Sequence, residues 1–189
     1  MSIKVAINGF GRIGRCTLRA IYEQGLQNEF EVVAINASGD LATNAHLLKY
    51  DTTHGRFATS VETEGENIII IDGKKIPFYS TKDPKGVNWG THGVDVLLEC
   101  TGAYTTKAKA QALLDQGAKR VLISAPGGDD VDTTIVMGVN EEALKAGMTV
   151  VSNASCTTNC LAPVAKILAD SVGIKQGLMT TIHAYTNDQ

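Results

Sequence analysis

The sequence predicts an α/β fold built on a doubly wound parallel sheet. Short β-branched runs alternate with helical segments, a glycine-rich turn joins the first run to the first helix, and an Asp-Gly pair marks one antiparallel hairpin. The composition, with 43% hydrophobic and 20% charged residues, is that of an ordinary globular protein, and 189 residues can bury a sizeable core.

The first βαβ unit is predicted from residues 3–8, 12–24 and 31–36. The outer two segments are rich in β-branched residues, and the middle one ends before Gly25. Because the crossover of such a unit is right-handed, the two strands are expected to be parallel neighbours.

An antiparallel hairpin is predicted where four isoleucines at 68–71 precede Asp72-Gly73 and a strand at 74–79. We interpret this hairpin as an insertion between the two βαβ halves of the sheet.

The second half of the sheet is predicted from segments that resume the strand and helix alternation. They are a strand over 94–100, a helix over about 105–116 and a strand over 120–124. Two short runs, 134–139 and 149–152, are interpreted as the far strands.

A second, α+β domain is expected to begin near residue 153, which divides the chain into domains 1–153 and 154–189. Its first helix is predicted over 155–172 and its first strand over 177–185. One helix and one strand cannot cover each other's apolar faces, so we expect the chain to hold only the start of this domain.

Charge and cysteine usage bear on the class of function. The net charge is -3 and basic residues are scattered, which argues against a dedicated nucleic-acid or membrane surface and favours small ligands. The four cysteines lack C-x-x-C spacing and no three of the four histidines have metal-ligand spacing, so we expect neither disulfides nor a metal site. No signal segment or membrane span is found, and a cytoplasmic location is expected.

The turn after the first strand fits G-x-G-x-x-G, with Gly9, Gly11 and Gly14. In a Rossmann-type sheet the first glycine turns the chain, the second admits a pyrophosphate, and the third packs the helix on the strand. The helix start adds backbone donors and a positive dipole end. The motif therefore predicts dinucleotide binding, and the alternative is a turn that serves packing alone.

The end of the second strand lacks the carboxylate that usually holds the adenosine ribose, since Asn36 is followed by Ala37 and Ser38. An aspartate at 37 would repel a ribose phosphate about 4 Å away by roughly 4 kcal/mol per charge pair at an effective dielectric near 20. Ala37 removes this repulsion and Ser38 can donate to phosphate, which favours NADP. In the alternative interpretation, Asp40 or Asn36 takes the place of the missing carboxylate at the ribose, and NAD still binds.

Cys156 follows Ser155, a good helix N-cap residue, so it is expected in the first helical turn, where the dipole favours a thiolate. The alternative is a buried structural cysteine, which is our interpretation of Cys160. His183 lies late in the predicted strand 177–185. If that strand returns across the helix start, His183 stabilises the thiolate and serves as acid or base; otherwise it is a structural histidine.

Five segments together resemble one family, the phosphorylating glyceraldehyde-3-phosphate dehydrogenases. They are GFGRIGR at 9–15, KYDTTHGRF at 49–57, ECTG at 99–102, SNASCTTNCLAP at 152–163 and GLMTTIHAYTNDQ at 177–189. The resemblance implies a homotetrameric, cytoplasmic enzyme of glycolysis or gluconeogenesis. It would oxidise D-glyceraldehyde 3-phosphate to 1,3-bisphosphoglycerate, with inorganic phosphate as co-substrate.

Carried over to this sequence, the resemblance implies that Cys156 attacks the aldehyde carbon and that hydride then leaves for the nicotinamide, forming a thioester. His183 acts as the base. Ser155 and Thr157 match positions that hold the attacking phosphate, and Thr186 matches one that holds the substrate phosphate.

The cofactor positions come from the motif and the resemblance together. They are Gly9, Gly11, Arg12, Ile13, Gly14, Ala37, Ser38, Lys82, Thr101, Gly102 and Ser124. Ala37 departs from the aspartate of NAD-using members and resembles the NADP-preferring branch.

Two other functions remain open from the sequence. Erythrose-4-phosphate dehydrogenase is a relative with similar glycine and cysteine segments, although Thr186 favours the glyceraldehyde enzyme. The second is a non-catalytic dinucleotide-binding module, which describes the 189-residue chain by itself better than an enzyme does. We expect that chain alone to show no turnover with glyceraldehyde 3-phosphate.

Overall fold

The computed structural model describes residues 2–183, and this part of the chain contains eleven β-strands and four α-helices. The strands are β1 (Ile3–Asn8), β2 (Phe30–Ala37), β3 (Tyr50–Asp51), β4 (Gly55–Arg56), β5 (Val61–Glu64), β6 (Ile68–Ile71), β7 (Lys74–Ser80), β8 (Val96–Glu99), β9 (Val121–Ile123), β10 (Thr133–Thr134) and β11 (Val150–Ser152). The helices are α1 (Arg12–Glu23), α2 (Leu41–Lys49), α3 (Lys107–Asp115) and α4 (Cys156–Val172).

Nine of the described strands form one sheet in the order β10-β11-β9-β8-β1-β2-β7-β6-β5, and β3 pairs with β4. All neighbours from β10 to β7 are parallel. The chain order reverses at β1, whose neighbours β2 and β8 begin the two halves of the sheet. The predicted doubly wound, Rossmann-type sheet is confirmed. Strands β10 and β11 lie at its far edge, and β11 covers most of the predicted run 149–152, but only Thr134 of the predicted run 134–139 is in a strand.

The predicted hairpin is also confirmed. Asp72 and Gly73 have φ of 52° and 74°, as a tight turn between twisted antiparallel strands requires. The hairpin joins the main sheet because β7 is long enough for two neighbours. The first four residues of β7, 74–77, pair with β6, and its last three, 78–80, pair in parallel with residues 35–37 of β2.

The core consists of two apolar clusters on opposite faces of the sheet. Ala6 and Ile7 are adjacent in β1 but belong to different clusters, and so are Ala34 and Ile35 in β2. Successive strand side chains point to opposite faces, which produces this division. The buried apolar side chains of α1 and α2 lie in one cluster and those of α3 in the other.

Helix α2 and strands β3 to β5 are not among the elements that the sequence analysis predicts. The signal for α2 was present, because Asp40 accepts a hydrogen bond from the backbone N–H of Thr43 at 2.8 Å and caps the helix. Leu41, Ala45 and Leu48, at helical spacing, are buried.

The strand predicted over 177–185 is wrong in its described part, because residues 177–183 have no strand structure. A strand is held by hydrogen bonds to a neighbour, and no described strand pairs with this segment. The remaining two residues of the predicted strand lie outside the described ones.

Helix α4 contains no buried residue in the described structure. Its exposed apolar side chains include Leu161, Val164 and Ile167. The domain boundary near residue 153 stays a prediction. None of the described helices is both long enough and apolar enough to cross a membrane.

Candidate functional site

The predicted cofactor residues and Cys156 all follow the carboxyl ends of parallel strands. The glycine turn follows β1, Ala37 ends β2 and Ser38 follows it, Lys82 follows β7, Thr101 and Gly102 follow β8, Ser124 follows β9, and Cys156 follows β11. Ligands of open parallel sheets bind in the crevice outside these strand ends, where the strand order reverses. The fold therefore gathers residues far apart in sequence at one edge.

The three glycines of the turn differ in their surroundings. Gly9 has φ +96°, and a Cβ added there would lie 2.7 Å from the backbone nitrogen of Thr101. A Cβ at Gly14 would collide with the carbonyl oxygen of Gly9 and lie 3.0 Å from Ile7 Cγ2. A Cβ at Gly11 would meet nothing within 4 Å. Gly9 and Gly14 are thus needed for close packing, and Gly11 borders open space.

Replacement of Gly9 by alanine is expected to destabilise the fold more than the same change at Gly25. Both residues have positive φ, of +96° and +70°, but a Cβ at Gly25 meets nothing within 4 Å. The backbone strain alone costs about 1–2 kcal/mol, and the added contact at Gly9 costs about 1–3 kcal/mol more. Urea denaturation of G9A and G25A measures the free energy of unfolding of each variant. Equal losses of this free energy would contradict the close approach of the turn to Thr101.

The start of α1 is suited to an anion. Gly11 is its N-cap and no side chain caps it, whereas Asp40, Thr106 and Ser155 cap α2, α3 and α4. Uncapped backbone N–H groups and the positive end of the helix dipole favour phosphate oxygens there.

Arg12, the first residue of α1, is held by Asp51 through an ion pair of 2.9 Å. The carboxylate also accepts the backbone N–H groups of His54 at 2.9 Å and Thr53 at 2.8 Å. The N–H of His54, that of Thr53 and the Arg12 guanidinium hold the pKa of Asp51 well below its usual range. Ile13, the next predicted cofactor residue, is exposed.

The two side chains considered as substitutes for the missing ribose carboxylate already have partners. Asn36 is buried; its Nδ2 donates to Asn8 Oδ1 at 2.7 Å and to the Thr81 carbonyl at 3.0 Å, and its Oδ1 accepts the Thr81 N–H. The carboxylate of Asp40 caps α2 through Thr43, and this hydrogen bond lowers the pKa of Asp40. Both hydrogens of the Asn36 amide are thus already donated, so its Nδ2 has none left for a ribose oxygen.

Glu99, the last residue of β8, is a site residue that sequence reasoning missed. It is fully buried, and its Oε2 accepts Asn8 Nδ2 at 2.5 Å. Its Oε1 accepts the backbone N–H of Thr101 at 2.7 Å and also the Thr101 hydroxyl. Burial raises the pKa of Glu99, and the hydrogen bonds from Thr101 and Asn8 oppose that rise. The available signal was a polar residue at the end of an apolar strand, as with Asn8 and Asn36.

The remaining predicted cofactor residues lie on the loops beside Glu99. Gly102 is exposed with φ +74°, and the backbone N–H of Ser124 donates to the Glu99 carbonyl at 3.0 Å. Lys82 is exposed, and its carbonyl accepts the Tyr104 hydroxyl at 3.4 Å. These contacts connect the loops after β7, β8 and β9.

The predicted helix start at Cys156 is confirmed. Ser155 is the N-cap, and its Oγ accepts the Thr158 N–H at 2.9 Å. Cys156 is the first helical residue and is exposed. The turn before it is fixed by Ser152, whose buried hydroxyl accepts the N–H of Ala154 at 3.0 Å, while Ala154 adopts an unusual φ of 60°.

His183 lies against the first turn of α4, although not on a strand. Its Nε2 is 3.3 Å from the hydroxyl of Thr157, which follows Cys156, and 3.0 Å from that of Thr181. The structure thus brings the predicted base to the helix start that carries the predicted nucleophile. Thr186 lies outside the described residues.

The four cysteines are free. The expectation that Cys160 is buried is wrong: it is exposed, because α4 buries no residue in the described structure. Within residues 2–183, no group of three or more histidine, cysteine, aspartate or glutamate side chains is arranged to hold a metal ion.

Two family models match the chain. The model described as glyceraldehyde 3-phosphate dehydrogenase, NAD binding domain, matches residues 3–107, and the model of the C-terminal domain of the same enzyme matches residues 155–189. Together they place the glycine turn in the first matched region and Cys156 in the second.

Curated relatives named glyceraldehyde-3-phosphate dehydrogenase match over the whole chain. The plasmid-encoded protein of Cupriavidus necator is 58% identical, and the protein of Pseudomonas aeruginosa is 54% identical, with 56% of each relative covered. Glyceraldehyde-3-phosphate dehydrogenase 2 of Bacillus subtilis is 51% identical, with 54% covered. The chain spans about half the length of these relatives. With both family models and whole-chain identities above half, the chain belongs to the glyceraldehyde-3-phosphate dehydrogenase family.

Proposed function

We propose that the full-length protein oxidises the aldehyde of D-glyceraldehyde 3-phosphate to 1,3-bisphosphoglycerate, with NAD or NADP as hydride acceptor and inorganic phosphate as co-substrate. The observation that carries this proposal is the meeting, at one sheet edge, of an uncapped helix start after a G-x-G-x-x-G turn and an exposed cysteine at a capped helix start. The family matches and the named relatives support the same reaction.

The nucleophile in this proposal is Cys156. Its Sγ bonds to the aldehyde carbon to give a hemithioacetal, and the loss of hydride from that carbon leaves a thioester. The bound cofactor supplies a nicotinamide ring that accepts this hydride. We propose that the backbone N–H of Cys156, at the start of α4, donates to the oxygen that becomes negative when the aldehyde carbon is attacked.

His183 is proposed as the base that takes the hydroxyl proton of the hemithioacetal. Its contact with Thr157, one residue beyond Cys156, supports this role. Inorganic phosphate then displaces the acyl group from sulfur, and the hydroxyls of Ser155 and Thr157 at the same helix start are proposed to orient it. The proposed role of Thr186 in holding the substrate phosphate stays a prediction from sequence.

The residues after β1 fit a dinucleotide. The open space beside Gly11 and the uncapped start of α1 suit a pyrophosphate, and the backbone of Thr101 lies close to Gly9. We also propose that NADP is preferred. Ala37 is 4% exposed and carries no charge, and Ser38 is exposed. The amide of Asn36 is held by Asn8 and Thr81, and the carboxylate of Asp40 caps α2.

Steady-state kinetics of the full-length protein test the reaction. We expect reduced cofactor to form from glyceraldehyde 3-phosphate only when inorganic phosphate is present, and kcat/KM to be higher with NADP than with NAD. Faster turnover of erythrose 4-phosphate would instead favour the related dehydrogenase. Cofactor binding without turnover of either aldehyde would favour a non-catalytic dinucleotide-binding module.

Assembly and location complete the proposal. We propose a homotetramer in the cytoplasm, which rests on the family resemblance, and light scattering of the full-length protein measures its oligomeric state.

A further inference from the structure

A chain of hydrogen bonds, buried at its centre and partly buried at both ends, crosses the sheet directly beneath the predicted crevice. It consists of the backbone of Thr81 and the side chains of Asn36, Asn8, Glu99 and Thr101, at the ends of β7, β2, β1 and β8. We call it the strand-end network. None of the steps of the proposed reaction uses the side chains of Asn36, Asn8 or Glu99.

The backbone of Thr81 fixes the direction of every bond in the network. Thr81 donates its N–H to Asn36 Oδ1 at 3.1 Å and accepts from Asn36 Nδ2 at 3.0 Å, so the amide of Asn36 cannot be reversed. Nδ2 of Asn36 therefore donates to Asn8, which must present its oxygen. Asn8 is left with its Nδ2 towards Glu99.

Glu99 must accept at both carboxylate oxygens. Oε2 receives Asn8 Nδ2, and Oε1 receives the backbone N–H of Thr101, a donor that cannot be turned round. The Thr101 hydroxyl accepts the N–H of Ala103 at 3.0 Å, which leaves its own hydrogen for Glu99. A carboxylate meets all these demands and an amide does not, because one end of an amide is a donor.

The loop held by Glu99 forms one wall of the crevice. The backbone of Thr101 lies so close to Gly9 that an added Cβ would be 2.7 Å from its nitrogen. In a doubly wound sheet the half that begins with β1 and β2 holds the adenosine side of the ligand, and the half that begins with β8 holds the other mononucleotide. A displacement of Thr101 therefore alters the contacts with the second mononucleotide, while the adenosine side of the ligand keeps its contacts.

We propose that Glu99 is a positioning residue, whose carboxylate holds the Thr101–Gly102 loop in place for the nicotinamide half of the dinucleotide. This inference rests on the proposed dinucleotide binding. It assigns Glu99 no direct contact with the cofactor. It assigns Asn8 the role of fixing which oxygen of Glu99 faces the loop.

The test uses the full-length protein and three variants, Glu99→Gln, Asn8→Asp and the double variant. In E99Q a donor must face either Asn8 Nδ2 or the Thr101 N–H, and in N8D two carboxylates face each other. We expect each single variant to bind NADPH about tenfold or more weakly, the loss typical of an unpaired buried donor or acceptor.

In the double variant, the new carboxylate at position 8 accepts from Asn36 and from the new amide at position 99, and that amide keeps its oxygen for Thr101. We expect the affinity of the double variant to return to within about threefold of the original.

Binding of ADP, which carries only the adenosine side, is the control within each variant. We expect ADP affinity to change by less than about threefold, since β2 and the glycine turn are unaltered. Equal losses for ADP and NADPH, or no rescue in the double variant, would show that Glu99 only supports the fold and would overturn the inference. If the unaltered protein binds neither NADPH nor NADH, the proposed function itself is overturned and this inference with it. If it binds NADH alone, the same comparison of variants is made with NADH.

Discussion

Replacement of Cys156 by serine in the full-length protein is expected to lower kcat for glyceraldehyde 3-phosphate oxidation by at least about 10⁴-fold, because a hydroxyl is a far weaker nucleophile than a thiolate and no thioester can form. Steady-state turnover measures the loss. Mass spectrometry of the protein mixed with substrate and cofactor, without phosphate, is expected to detect an acyl adduct in the original protein and none in C156S.

Cys160 offers a matched control for this prediction. It lies one helical turn beyond Cys156 in α4 and is exposed as well, but it is not at the helix start. We expect C160S to keep turnover within about threefold, since a change between two small exposed side chains removes no contact that the reaction needs. Retention of more than a few per cent of activity by C156S, or an equal loss in C160S, would contradict the assignment of the nucleophile.

Replacement of Ala37 by aspartate is expected to reverse the proposed preference for NADP. A carboxylate about 4 Å from the ribose phosphate costs roughly 4 kcal/mol per charge pair, which corresponds to a fall of about 10³-fold in the NADP to NAD ratio of kcat/KM. Kinetics with both cofactors on the same preparation give this ratio. Ala37 is only 4% exposed and packs in the core cluster of β2, so any loss of folded protein affects both cofactors equally and cancels in the ratio.

Ala37→Asn separates the charge from the size of the new side chain. Asparagine has nearly the volume of aspartate without its charge, so we expect the NADP to NAD ratio to change by less than about tenfold. A similar fall in A37N and A37D would mean that the side chain at 37 acts by occupying space. A strong preference of the unaltered protein for NAD would show that another residue holds the ribose, and Asp40, whose side chain is exposed at the start of α2, would be the first candidate.

Three features could be predicted from the sequence because each depends on neighbours within a few residues. They are the alternation of strands and helices, the glycine turn and the Asp-Gly hairpin. Glycine readily adopts the positive φ that the turn requires at Gly9, and Asp72-Gly73 favours a tight turn by its own backbone preferences. The helix start at Cys156 was predictable for the same reason, since Ser155 caps a helix through a residue three positions later.

The strand expected over 177–185 failed for the opposite reason. A strand exists only where a partner supplies hydrogen bonds, and the residues of one segment do not reveal whether that partner is present. The predicted burial of Cys160 failed likewise, because burial depends on what packs over α4.

By itself the sequence determined the doubly wound sheet, the dinucleotide turn, the capped cysteine and the family, since these follow from local backbone preferences and contiguous motifs. Only the tertiary structure decided that Asn8, Asn36 and Glu99 form one network and that Asp51 holds Arg12. It also decided that His183 reaches Thr157. The members of these pairs are 26 to 91 positions apart, so their hydrogen bonds depend on how the whole chain folds. For the network, the deciding feature is the sheet order that brings the ends of β1, β2 and β8 together.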